Sequence, residues 1–195
     1  MSKKTDVSRR NFFKVAGGAG AVAALLGATN VAKAQNNEGF ELDVCCDGNT
    51  FVFTGPTHED GSPAYGATFV VEGFIYPNGT LEEQGAAGGI NADGSPELPS
   101  SVIGKWTCYG TFVGDGVRTE EGRPDVVTTQ IYDFDVENPG NDILMSQGYE
   151  LAGLNYPFKR NLQGGTGFNS LLRGIVTQEA VGMNATGVAN IHFKF

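Results

Sequence analysis

Beyond residue 34 no long stretch carries the 3.6-residue period of an amphipathic helix. Apolar and polar residues instead alternate in short runs cut by turn chemistry. Asp47-Gly48-Asn49, Pro77-Asn78-Gly79, Gly114-Asp115-Gly116, Asn138-Pro139-Gly140-Asn141 and Gly164-Gly165-Thr166-Gly167 leave only strand-sized segments between them. The predicted strands are 40–46, 50–54, 67–76, 102–113, 126–135, 143–151, 158–162, 171–179 and 188–195, with a hairpin at 47–49. The 29 glycines suit such a chain, because tight turns need positive φ; without a G-X-Y period they do not mean collagen. Eight or nine short strands at barrel-like spacing, joined by turns short enough for antiparallel neighbours, predict an all-β fold, a barrel with a β-sandwich as the competing architecture. Residues 81–99, rich in Gly, Asn, Asp and Pro, read as an extended surface loop or lid.

The first 34 residues read as an address. Ser8-Arg9-Arg10-Asn11-Phe12-Phe13-Lys14 resembles the twin-arginine (Tat) export consensus. An Ala/Gly/Val/Leu run follows, too short and too Gly-rich for a comfortable membrane span. Ala32-Lys33-Ala34 then supplies a small-x-small cleavage pattern. The expected division is a signal peptide over 1–34 and one barrel domain over 35–195, passed through the Tat translocon to the periplasm or the outside. No Cys follows residues 32–34, so neither a lipid anchor nor another stable membrane anchor is indicated. Six of the 13 Lys/Arg and one of the 22 acids lie in the leader, so the remaining domain carries −14. That charge repels anionic lipid and nucleic acid, which proteins bind through Lys and Arg.

Strand parity assigns the faces. Trp106, Cys108 and Phe112 share one uncharged face with Gly104 and Gly110; Tyr132 shares another with Val126, Thr128, Gln130 and Phe134. In the last strand Phe193 lies with Ile191 and Phe195. These faces are expected inside. Several strands have no wholly polar face, so part of the outside is expected to be covered too, by a subunit contact for example. Cys45 and Cys46 point to opposite faces, so at most one meets Cys108; a disulfide and three buried thiols are both open. No spacing of Cys, His and carboxylates marks a metal site. The acidic turn at 133–142 departs from the EF-hand pattern at Asn138, where glycine belongs.

Three blocks carry a family resemblance: Val71-Glu72-Gly73-Phe74-Ile75-Tyr76-Pro77, Gly104-Lys105-Trp106-Thr107-Cys108 and Gly164-Gly165-Thr166-Gly167-Phe168-Asn169-Ser170-Leu171-Leu172-Arg173-Gly174. They resemble the allene oxide cyclase and dirigent superfamily, and within it the bacterial exported allene-oxide-cyclase-like barrels. The resemblance implies an eight-stranded antiparallel closed β-barrel, calycin-like and often trimeric, with an apolar lumen open at one end. It implies chemistry without metal or coenzyme, in which an apolar small molecule is held so that it cyclises or couples in one sense, as an isomerase or cyclase would. The lumen would be lined by Trp106, Cys108, Phe112, Tyr132 and Phe193. Arg173 matches the arginine of the glycine-rich block, although Phe168 stands where an acidic partner belongs. Glu72 is the expected catalytic carboxyl, because it interrupts an apolar strand and would act as an acid if buried. The alternatives are a lipocalin-like carrier without turnover and a plugged barrel with a structural or interaction role.

Overall fold

The computed structural model describes residues 39–83, 85–114, 124–151 and 153–195. Strands β1 (Glu41–Thr54), β2 (Thr68–Pro77), β3 (Gly104–Phe112), β4 (Pro124–Asp133), β5 (Ile143–Leu151), β6 (Phe158–Gly165), β7 (Gly174–Met183) and β8 (Ala189–Lys194) pair in sequence order, each antiparallel to the next. Pairing of β1 with β8, Leu42 opposite Phe193, closes the cylinder. Closure leaves no sheet edge, and alternation then sorts each strand into a lumen side and an outer side. Parity placed the interior correctly: Trp106, Cys108, Tyr132 and Phe193 sit in one buried cluster with Leu42, Val44, Cys46, Ile75 and Leu144.

Glu41–Thr54 form one strand and not a hairpin. Asp47 Oδ1 accepts from Asn49 N at 3.0 Å, and Thr50 Oγ1 donates to the Asp47 carbonyl at 2.7 Å. This Asx-type chemistry makes a bulge, because the chain on both sides stays paired to β2, from Asp47↔Glu72 to Val52↔Val70.

Residues 81–99 strap the outer wall and do not lid a mouth. Leu81 and Ile90 bury Cys45, Phe74 and Tyr76 on the outside of β1 and β2. Tyr76 OH donates to the Gly89 carbonyl at 2.7 Å, and Asn190 Nδ2 donates to the carbonyls of Ala86 and Gly88 at 3.0 and 2.8 Å. Leu81 heads a single helical turn, α1 (Thr80–Glu83). Its N–H donates to Asp43 Oδ2 at 3.0 Å, while Asp43 Oδ1 pairs with His192 Nδ1 at 3.0 Å. The Asp43 hydrogen bond raises the His192 pKa above its ordinary value. The strap therefore accounts for part of the apolar outer face seen in the sequence.

The two ends of the cylinder differ. At one, Phe40 stacks on Phe195 with centroids 4.4 Å apart, and Tyr132 meets Phe193 and Phe195 edge-on at 5.1 and 5.3 Å. At the other, Phe51, Phe69 and Phe112 line β1–β3, Phe112 packing with Ala67 and Val126. We call these the Phe195 end and the Glu150 end.

Candidate functional site

Four consecutive strands send polar side chains into the lumen. β4 contributes Thr128, Gln130 and Tyr132; β5 contributes Ser146 and Glu150, with Gly148 between them; β6 contributes Arg160; β7 contributes Gln178. Gly148 has no side chain, and the Arg160 stem lies across it: a Cβ built there would touch Arg160 Cα, Cβ and Cγ at 3.4–3.5 Å. From that position Arg160 reaches both ways along β5. Its Nε donates to Ser146 Oγ at 3.2 Å, Nη1 to Glu150 Oε1 at 3.3 Å and Nη2 to the Thr128 carbonyl at 3.2 Å.

Glu150 Oε1 is the hub. It also accepts from Thr128 Oγ1 and from Gln130 Nε2, each at 2.6 Å, and from Cys108 Sγ at 3.6 Å. Gln130 passes the network on: its Nε2 also donates to Gln178 Oε1 at 2.9 Å, and its Oε1 accepts from Tyr132 OH at 2.6 Å. The Arg160 side chain is fully buried, whereas that of Glu150 keeps 19% of its surface. A buried guanidinium is tolerable only when paired and hydrogen-bonded, and here each of its three nitrogens has an acceptor. Glu150 is thus the member of the pair that reaches solvent.

The opposite wall, from β1–β3 and β8, is apolar. Val44, Cys46, Val71, Trp106 and Ile191 form it, with Phe51 and Phe69 toward the Glu150 end. Trp106 is 2% exposed, yet its Nε1–H has no hydrogen-bond partner among the described residues. A buried donor without an acceptor costs about 1–3 kcal/mol.

The described cysteines are free buried thiols, which leaves the disulfide alternative without support. Burial holds the Cys46 and Cys108 thiols well above their ordinary pKa, and Glu150 adds to both shifts. Burial pushes outward-facing Cys45 to about 12. None is a thiolate at neutral pH, so none is poised as a nucleophile. Burial likewise raises the Tyr132 phenol, which stays protonated and donates.

Of the residues predicted from sequence, Trp106, Cys108, Tyr132 and Phe193 come together. Phe112 stands in the adjoining rim cluster, joined to them through Phe51 and Phe69. The two expected catalytic residues lie outside. Glu72 is exposed on the outer face of β2, where its backbone N–H donates to Thr50 Oγ1 at 2.8 Å. The condition for its acid role was burial, and parity turns it outward with Val70. Arg173 is exposed at the Phe195 end, donating to the carbonyls of Ser170 and Leu172 at 3.1 and 2.7 Å. The glycine-rich block around it is a rim staple. A Cβ on Gly165 would run into the Ile143 backbone; Thr166 Oγ1 donates to the Gly140 carbonyl at 2.7 Å, and Asn169 Nδ2 to Asp142 Oδ1 at 2.8 Å. Gly104 and Gly110 do not widen the lumen. Side chains there would meet the Asp133 and Val127 carbonyls of β4, so these glycines permit close strand approach. Arg9, Arg10, Ala32 and Ala34 lie outside the described residues.

Arg160, Glu150, Ser146 and Gln178 were missed as site residues. The signal was present in alternation: Phe158-x-Arg160-x-Leu162 and Leu144-x-Ser146-x-Gly148-x-Glu150 place them on faces that begin apolar.

Comparison with solved structures agrees with this architecture. The pterocarpan synthase dirigent protein PsPTS1 superposes with a TM-score of 0.54 at 14% identity, over 80% of this chain and 90% of its own. The pterocarpan synthase dirigent protein GePTS1 gives 0.54 at 13%, over 80% of each chain. The chain shares the barrel fold of these two proteins. A pyocyanin demethylase is also similar, with a TM-score of 0.49 at 12% identity over 80% of this chain and 97% of its own. Residues 6–25 match the twin-arginine translocation pathway signal sequence, so the protein is exported by the Tat route, to the periplasm or beyond. No curated protein matches the sequence.

Proposed function

We propose that the barrel binds an apolar small molecule in its lumen and directs its cyclisation or coupling by orientation. The observation that carries this reading is the division of the lumen into two walls, one apolar and one a hydrogen-bonded polar array around Arg160 and Glu150. Burial against an apolar wall gives affinity without direction, whereas hydrogen bonds are directional. A flexible molecule lying between the two is therefore restricted to few poses. Holding one near-attack conformer can lower a ring-closure barrier by several kcal/mol, and choosing one face needs only about 1–3 kcal/mol of differential contact. Glu150, the partly exposed member of the pair, stands ready to stabilise positive charge that develops on the reacting molecule. The protonated thiols fit a mechanism without a covalent intermediate.

The dirigent fold supports the same reading, since pterocarpan synthase dirigent proteins are built on it. Homo-oligomerisation, a trimer by the family resemblance, belongs to the reading as well. Val52, Val70 and Tyr109 align across the outer faces of β1, β2 and β3, all exposed, in the manner of a subunit contact.

The test uses an unsaturated fatty epoxide that ring-closes spontaneously to racemic product. The wild-type protein is expected to give an enantiomeric excess that Glu150→Ala abolishes. Racemic product despite bound epoxide would make the protein a carrier, and absence of binding would leave a plugged barrel.

A further inference from the structure

The acceptors of the polar wall are turned toward one another and toward Arg160. Glu150 Oε1 takes Thr128, Gln130, Cys108 and Arg160; Gln130 Oε1 takes Tyr132; Gln178 Oε1 takes Gln130. None of these groups reaches Trp106, whose Nε1–H has no partner among the described residues. The residues opposite Trp106 in the sheet offer nothing either. Gly73 on β2 has no side chain, and the Tyr132 hydroxyl on β4 is committed to Gln130 and Ser146. A phenylalanine would fill this position without an orphan donor. The indole N–H can only donate, so what satisfies it must be an acceptor from outside the described chain.

We propose that Trp106 Nε1–H anchors an acceptor oxygen of the ligand, so that the lumen selects apolar molecules bearing a carbonyl or ether oxygen over the corresponding hydrocarbons. This rests on the reading of the lumen as a small-molecule site, and it specifies the chemistry that site takes. An unpaired donor within an apolar wall gives the recognition its form. The hydrocarbon part of the ligand meets Val44, Val71 and Ile191, and the oxygen meets the N–H. A ligand without that oxygen leaves the donor unmatched and is discriminated against for that reason.

The matched probes are α-tetralone and tetralin, which differ at one ketone oxygen. Calorimetry on the wild-type protein is expected to show α-tetralone binding about tenfold more tightly, the scale of one net hydrogen bond. Trp106→Phe is expected to bind both equally, near the tetralin affinity of the wild type. A second readout needs no variant. Trp106 is the only tryptophan in the sequence, so ¹⁵N-indole labelling gives a single side-chain N–H resonance. α-Tetralone should move that proton downfield, and tetralin should not. Equal wild-type affinities with an unmoved indole proton would overturn the anchor and leave the lumen as a binding site. A preference that survives in Trp106→Phe would overturn it as well. Failure of the folded wild-type protein to bind either probe would overturn the binding reading itself, and the anchor with it.

Discussion

The two ends of this barrel are built from opposite materials. At the Phe195 end, Phe40, Tyr132, Phe193 and Phe195 stack into an aromatic plug, and the glycine-rich rim ties neighbouring turns together. At the Glu150 end, an ion pair and polar side chains from four strands fill one side of the same cylinder. Apolar packing is insensitive to which molecule lies beyond it, whereas a hydrogen-bonded array orients what it touches. One end therefore holds the cylinder shut, and to the other we assign recognition. The glycine-rich block at the first end is accounted for structurally, because its glycines serve turns and close backbone approach.

If this division is correct, the largest stability effect belongs to the plug. Phe193 is fully buried, and Phe193→Ala should lower unfolding free energy by about 3–5 kcal/mol, measured by urea denaturation. The ratio of α-tetralone to tetralin affinity should remain in whatever fraction stays folded. A loss below 1 kcal/mol would mean that the plug is loosely packed and the two ends are not distinct in kind.

Glu150→Ala comes next. It strands the buried Arg160 guanidinium, at a cost near the lower end of 3–5 kcal/mol, because Glu150 is itself partly exposed. The sharper measurement is the double change Glu150→Leu with Arg160→Met. Apolar replacement of a buried pair is often neutral, so the double variant should regain most of the stability lost by Glu150→Ala while giving racemic product. Recovery of stability together with retained stereocontrol would show that the polar array is structural, and the comparison of the ends would fail on function.

Much of the architecture was legible from alternation alone. Trp106, Tyr132 and Phe193 each lie on a face free of charge, and a period of two sends such faces to one side. The hairpin at 47–49 misled because Asx-turn chemistry serves bulges as well as reversals; only pairing with β2 decides between them. The polar array was hidden for a different reason. Arg160 meets Glu150 ten residues away, but Thr128 is 32 away, and Gln130 meets Gln178 across 48. Each looks like an isolated polar residue until closure of the barrel brings β4 to β7 around one space. The outer strap was illegible for the same reason, since Asp43, Leu81 and His192 come from three distant segments.

The smallest expected effects test the comparison from its other side. Glu72 and Arg173 are the residues that motif and strand composition favoured, and both stand in solvent. Arg173 makes hydrogen bonds only to carbonyls one and three residues before it, and water replaces such partners at an exposed turn. Glu72→Gln and Arg173→Ala should each change stability by no more than about 0.5 kcal/mol, as surface substitutions do. The enantiomeric excess should be unchanged in both. A loss of stereocontrol in Arg173→Ala without a change in denaturation midpoint would place chemistry at the Phe195 end. It would do so even though Gly164 to Arg173 is accounted for by turn geometry, and the assignment of recognition to the Glu150 end would then be reversed.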